Sequence, residues 1–178
     1  MKKNSDYLDI DKRQLVETFK EDKEKILRRI KEAYRKTPYF EQVFPFTEEL
    51  FKCDTENLFS FVFNTVRQVC EYLEINTEFV VSSSVDIDHS LKSEQRVLAI
   101  ATKMNAQTYI NAIGGQKLYS VENFRNSNVE LKFIQSDSFV YKQFDNEFVP
   151  WLSILDVMMF NSKEEVIRII NTEYSFVK

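Results

Sequence analysis

The hydrophobic period of this chain first changes near residue 77, and that change constrains the fold more than any other feature. Before it, apolar side chains recur at helical spacing. Ile26, Leu27, Ile30, Ala33 and Tyr34 share one face of a helix that Pro38 ends. Leu58, Phe59, Val62, Phe63, Val66, Val69, Cys70 and Leu73 make a wide apolar face within 55–74, which predicts a helix covering a sheet. Between them, TPYFEQVFPFTEELF carries Pro38 and Pro45 and predicts two short helical turns. After residue 77 the apolar runs become short and rich in β-branched and aromatic residues. TEFVVSS (77–83), TYINA (108–112) and VELKFIQ (129–135) read as strands. SEQRVLAIATKMNA (93–106) and SVENFRNS (120–127) read as helical pieces between them. Strand, helix, strand, helix, strand predicts a parallel sheet with right-handed crossovers. SILDVMMF and SKEEVIRIINTE close the chain as two helices, the second opened by a Ser162–Glu165 capping box.

The expected fold class is therefore α/β: a small three-layer domain with a short, mainly parallel β-sheet flanked by helices and a helical N-terminal region. One domain is expected over 1–178. Residues 1–10 form a flexible or edge lead-in, about 11–74 are helical, about 77–135 are βαβαβ, and about 151–173 hold the C-terminal helices.

Charge and cysteine usage exclude several functions. The formal net charge is −4, and acids interrupt basic runs such as ILRRIKEAYRK, so the chain lacks the basic face of a nucleic-acid binder. Cys53 and Cys70 are the only cysteines and show no C-x-x-C spacing, so no zinc site is expected; Cys70 reads as a small buried hydrophobe. FVPWLSILDVMMF, the longest apolar run, is too short to span a bilayer and contains Asp156. MKKNSDYLDI lacks the apolar segment of a signal peptide, so the cytoplasm is the expected location. Asp86, Asp88 and His89 read as a polar turn, and no metal is expected. A single histidine and the lack of a nucleophile elbow exclude a Ser-His-Asp hydrolase.

Both glycines of the chain, Gly114 and Gly115, sit side by side just after the TYINA strand. Ligands of open α/β sheets bind outside the C-terminal ends of strands. Glycine there permits positive φ and close backbone approach to a ligand. A tight turn before Leu118 and Tyr119 is the alternative. The pair is neither a Walker A loop nor a three-glycine dinucleotide motif, so no cofactor is legible. Further on, Tyr141, Gln143, Asn146 and Glu147 alternate with aromatics, which predicts either a loop tied to the core or a pocket lining. Trp151 is expected to pack. Asp156, between Leu155 and Val157, reads either as a partner of a neighbouring backbone amide or as an acid in a pocket.

TYINAIGGQKLYSVENFRNSNVELKF, followed by YKQFDNEFVPWLSILDVMMFNSKEEV, resembles the C-terminal half of the WbqC-like family. IKEAYRKTPYFEQVFPFTEELF resembles that family's Y-K-x-x-P-Y-F helix and turn. SEQRVLAIATKMNAQTYINAIGG is similar to its Ser-x-x-Arg helix and T-Y-[IL]-x-x-x-G-G element. The likeness runs from roughly residue 14 to 170. It departs at the start: family members open with a strand and an H-Q-P-x-x-[LF]-P-W-x-G segment, which is not seen here. That departure implies an open sheet edge covered by a homo-oligomer or by the N-terminal residues. The resemblance implies a nucleotide or nucleotide-sugar ligand. It also implies a role in bacterial surface-polysaccharide (O-antigen) biosynthesis, with acyl or aminoacyl transfer to an amino sugar as the reaction. The candidate ligand residues are Gly114, Gly115, Ser93, Arg96, Tyr119, Tyr141 and Asp156. Ser93 and Arg96 would offer an anion site at a helix start, and Tyr119 or Tyr141 would stack on a ring. The other reading is a non-catalytic, shortened family member acting as an interaction protein.

Overall fold

The computed structural model describes residues 8–145 and 147–177. Most of the expected lead-in, and Asn146, lie outside the described residues. The chain forms two compact units, Met1–Thr77 with Val140–Ile169 and Glu78–Phe139 with Ile170–Lys178.

The first unit is helical. A 3₁₀ turn at Ile10–Lys12 leads to α1 (Phe19–Tyr34), α2 (Phe40–Phe51) and α3 (Leu58–Tyr72), with α6 (Ile154–Phe160) and the start of α7 (Lys163–Thr172) completing it. α2 is one helix and not two turns, even though Pro45 lies inside it. Phe40, Val43, Phe44, Thr47 and Leu50 are buried along one stripe, and that burial offsets the roughly 3 kcal/mol that an interior proline costs. Phe40 and Phe44, one turn apart, stack at 4.8 Å. On α3 part of the expected apolar face is open, with Val62 and Val66 exposed, and the ring contacts to its helical neighbours come from Phe61 and Tyr72, off that face. Phe61 packs edge-on against Phe19 of α1 at 5.1 Å and Phe51 of α2 at 6.0 Å. Phe46 stacks on Tyr72 at 4.5 Å. Cys70 on that face is half-buried. Asn57 caps α3, its Oδ1 accepting from the Ser60 amide at 2.8 Å. Half of the expected capping box forms on α7. The Glu165 amide donates to Ser162 Oγ at 3.2 Å, while the Glu165 carboxylate turns to Arg168 instead.

The second unit holds the sheet: β1 (Thr108–Ala112), β2 (Glu130–Ser136) and β3 (Tyr174–Val177), in the order β1-β2-β3. β1 and β2 are parallel, with Thr108 opposite Glu130 and Ala112 opposite Ile134. β3 runs antiparallel to β2, with Phe133 opposite Val177. α4 (Ser93–Lys103) precedes β1, and α5 (Val121–Asn126) lies in the crossover to β2. Phe124, Val129, Leu131 and Phe133 are buried with Ala101 of α4, and Val97, Leu98, Tyr109 and Tyr119 pack around them. The α/β class and the two parallel strands are as the sequence predicts. The strand expected over 77–83 is not there: Phe79 and Val80 are exposed, and Ser82–Ser84 form a 3₁₀ turn. β-Branched residues favour a pleated surface only where a neighbouring strand supplies the ladder. β3 was unforeseen because four residues after a helix give too short a pattern to read.

α3, α4 and α5 share one ending. Each is followed by a left-handed residue that is not glycine: Glu74 (φ 59), Asn105 (φ 53) and Asn128 (φ 57). In each case the next amide reaches five residues back, Ile75 to Cys70 at 2.8 Å, Ala106 to Ala101 at 2.9 Å and Val129 to Phe124 at 3.0 Å. The left-handed residue's own amide bonds three back, to Glu71, Thr102 and Arg125. This is the Schellman arrangement, built without glycine. A β-carbon in that conformation is costly, though asparagine tolerates it best. Asn105→Ala should therefore destabilise the protein by about 1 kcal/mol, whereas Asn105→Gly should match or exceed wild type; urea unfolding of the two variants checks this.

Candidate functional site

The glycine pair follows the C-terminal end of β1, within a 3₁₀ segment at Ile113–Leu118. The conformational reason expected for it does not hold, since neither glycine has positive φ. Gly115 is buried, and its demand is steric. A β-carbon there would lie 2.7 Å from Nδ2 of Asn111, 3.1 Å from Asn111 Cγ and 3.4 Å from Tyr119 Cε2. Asn111 is itself held, because its Oδ1 accepts from the Ala112 amide at 2.8 Å. Around Gly114 nothing lies within 4 Å. Tyr119 packs with Tyr109 (5.7 Å between centroids) and Phe124 (5.8 Å), as part of the unit's aromatic core. Burial, with a hydrogen bond to Tyr119, pushes the Tyr109 hydroxyl up to about 12. A cavity of about 490 Å³ in this unit lies at the other end of the parallel pair, against Arg125, Asn128 and Glu130.

Ser93 begins α4 with φ 50, and its side chain makes no cap. Arg96 is half-buried one turn on. Glu94 between them was not singled out from the sequence. Its carboxylate accepts from the Ser120 amide and, at 2.5 Å, from Asn123 Nδ2, so it pins α4 to the start of α5. Asp86 pairs with Lys103 at 2.8 Å, and Asp88 accepts from the Ser90 amide at 2.9 Å; both carboxyls are held below their ordinary range by these bonds.

Tyr141 and Asp156, fifteen residues apart in sequence, meet in the first unit. Asp156 lies in the first turn of α6 and is only 4% exposed. Its partners are side chains and not the neighbouring amide expected. Tyr34 Oη donates to Oδ1 at 2.9 Å, Tyr141 Oη to Oδ2 at 2.6 Å and Gln143 Nε2 to Oδ2 at 2.9 Å. Gln143 also clasps Val149 in both directions, donating to its carbonyl at 3.2 Å and accepting from its amide at 2.8 Å. Burial, and then donation to Asp156, pushes the Tyr34 hydroxyl up to about 12 and raises Tyr141 further still. α1, the 141–149 loop and α6 are thus joined at one carboxylate. Gln143, expected in a loop tied to the core or in a pocket lining, does the first, and Tyr34 joins the centre from 122 residues away in the chain, a separation that hid it.

Beside this centre opens a groove of about 490 Å³, walled by Tyr141, Phe144 and Phe160, with Lys36, Lys142 and Asp145 on its lining. Phe144 meets Phe160 edge-on at 4.9 Å. A groove of this size with ring walls and a few charges suits a small molecule carrying a sugar or base ring. Trp151 does not pack as expected. It is 79% exposed and holds φ 61.

The family model described as the WbqC-like protein family matches residues 1–168. No curated protein and no solved structure matches the chain. No described helix is long and apolar enough to cross a membrane.

Two sets of variants test this geometry. Gly115→Ala should cost about 1–2 kcal/mol through the clash with Asn111, while Gly114→Ala should be neutral or stabilise by about 0.5 kcal/mol, both read from thermal unfolding. Asp156→Ala should cost roughly 3 kcal/mol, since it strands three donors at once. The raised Tyr34 hydroxyl sets a pH dependence as well. Unfolded tyrosine loses its proton near about 10 and folded Tyr34 near about 12, so its contribution is complete below the first value and is lost as pH climbs through the second. Tyr34→Phe should flatten the fall in stability over that alkaline window, as followed by denaturant unfolding at stepped pH.

Proposed function

The chain belongs to the WbqC-like family, and on that premise we propose that it binds a nucleotide-linked sugar in the groove beside Asp156 and acts in bacterial surface-polysaccharide (O-antigen) assembly. The observation supporting this most is the groove itself, three aromatic walls backed by a buried, fully hydrogen-bonded carboxylate. Ring faces favour the apolar side of a pyranose or a base through stacking. The Asp156 centre keeps the Tyr141 wall in one orientation, which lowers the ordering cost of binding. Acyl or aminoacyl transfer to an amino sugar is the reaction that suits such a ligand. Ser93, Arg96, Gly114, Gly115 and Tyr119, in the other unit, are kept as secondary candidates for ligand contact. A second reading, a non-catalytic interaction protein, draws on the exposed Val149, Trp151 and Leu152.

Thermal-shift measurements against nucleotide sugars test the first reading. A ligand at about 100 times its Kd should add about 2.7 kcal/mol to stability and raise Tm. Phe144→Ala should abolish that rise while leaving the unliganded Tm close to wild type, because Phe144 is exposed. No rise with any nucleotide sugar at saturating concentration would refute the reading in favour of the second.

A further inference from the structure

Lys36 and Lys142 come from segments far apart in sequence, yet both line the same groove. Asp156 is the reason. It fixes Tyr34, two residues before Lys36, and Tyr141, the residue before Lys142. Thr37, on the far side of Lys36, is buried and anchored by its hydroxyl to the Tyr34 carbonyl at 2.7 Å. The two ammonium groups therefore hang from rigid attachment points. Their own electrostatic partners are weak or missing. Lys36 makes no ion pair among the described residues. Lys142 approaches Asp145 only at 3.8 Å, with the two side chains 84% and 100% exposed, a pairing of little worth in water. A dianion entering the groove would meet two flexible cations and one acid that is free to turn away.

Resting on the sugar-binding reading above, we infer that this groove recognises its ligand by a phosphate ester clamped between Lys36 and Lys142. The attached ring then lies along Phe144 and Phe160. Charge-assisted hydrogen bonds from two ammonium groups to phosphate oxygens supply the affinity, and lysine suits this role as a mobile point charge. The shared chemistry is a phosphate joined to a ring, whether the ring is a sugar or a nucleoside.

Calorimetric titration separates the possibilities. The probes are N-acetylglucosamine 1-phosphate, uridine diphosphate and UDP-N-acetylglucosamine, with N-acetylglucosamine and uridine as uncharged controls. The phosphorylated probes should bind at least about tenfold more tightly than the controls, and added salt should erode that excess. A preference for the sugar phosphate over uridine diphosphate, or the reverse, tells which ring the walls select. Lys36→Gln and Lys142→Gln, singly and together, should remove the excess with Tm unchanged, and Lys36→Arg should restore most of it. Equal binding of phosphorylated and uncharged probes would overturn the clamp and leave the stacking groove standing. Absence of binding by every probe would overturn both.

Discussion

A carboxylate taken out of water costs several kcal/mol unless its oxygens are fully solvated by the protein. Asp156 meets that condition only because three separate parts of the first unit converge on it. Tyr34 arrives from the end of α1, Tyr141 and Gln143 from the loop after residue 140, and the carboxylate itself from α6. An ionised carboxylate accepts and never donates, so each neighbour must bring a proton, and each does. The described residues between β2 and α6 form no helix or strand to satisfy their polar groups. The Gln143–Val149 clasp supplies that need and hangs from the same carboxylate. The groove wall at Tyr141 and the two lysine attachment points follow from this one centre.

Backbone conformation shows a second economy. With two glycines in the whole chain, every left-handed position among the described residues falls to another residue type. Three of them close helices, and there the Schellman bonds offset the strain. Phe144 and Trp151 are different. Phe144 lies within the span that the Gln143–Val149 clasp closes and Trp151 two residues after it; both carry bulky side chains, at φ 45 and 61, and Phe144 walls the groove. Strain of this kind persists where surrounding bonds over-determine the chain, and the clasp provides those bonds.

Much of the first unit was legible because helical periodicity is a local signal. The apolar stripe of α3 follows from residues within a few turns of each other. The candidate site was legible only in part. Tyr141 and Asp156 stood out as polar groups in apolar surroundings, but Tyr34, 122 residues from Asp156 in the chain, looked like one more member of a helix face. Lys36 looked like one more charge in the basic run ILRRIKEAYRK, which acids interrupt. The glycine pair drew attention for its rarity. Gly115 proved to be small because a β-carbon there would run into the Asn111 side chain, a reason that its rarity does not reveal.

The sequence by itself determined the helices other than α2, the parallel pair β1 and β2, and the family, because each depends on short-range periodicity or on motifs read in order. Only the tertiary structure decided that TEFVVSS forms no strand, that the last four described residues add a third strand, and that one buried acid gathers two tyrosines and a glutamine. Strand pairing and charge burial are settled by partners far away along the chain. A segment's own residues state what it prefers, and the neighbours it meets on folding state what it becomes.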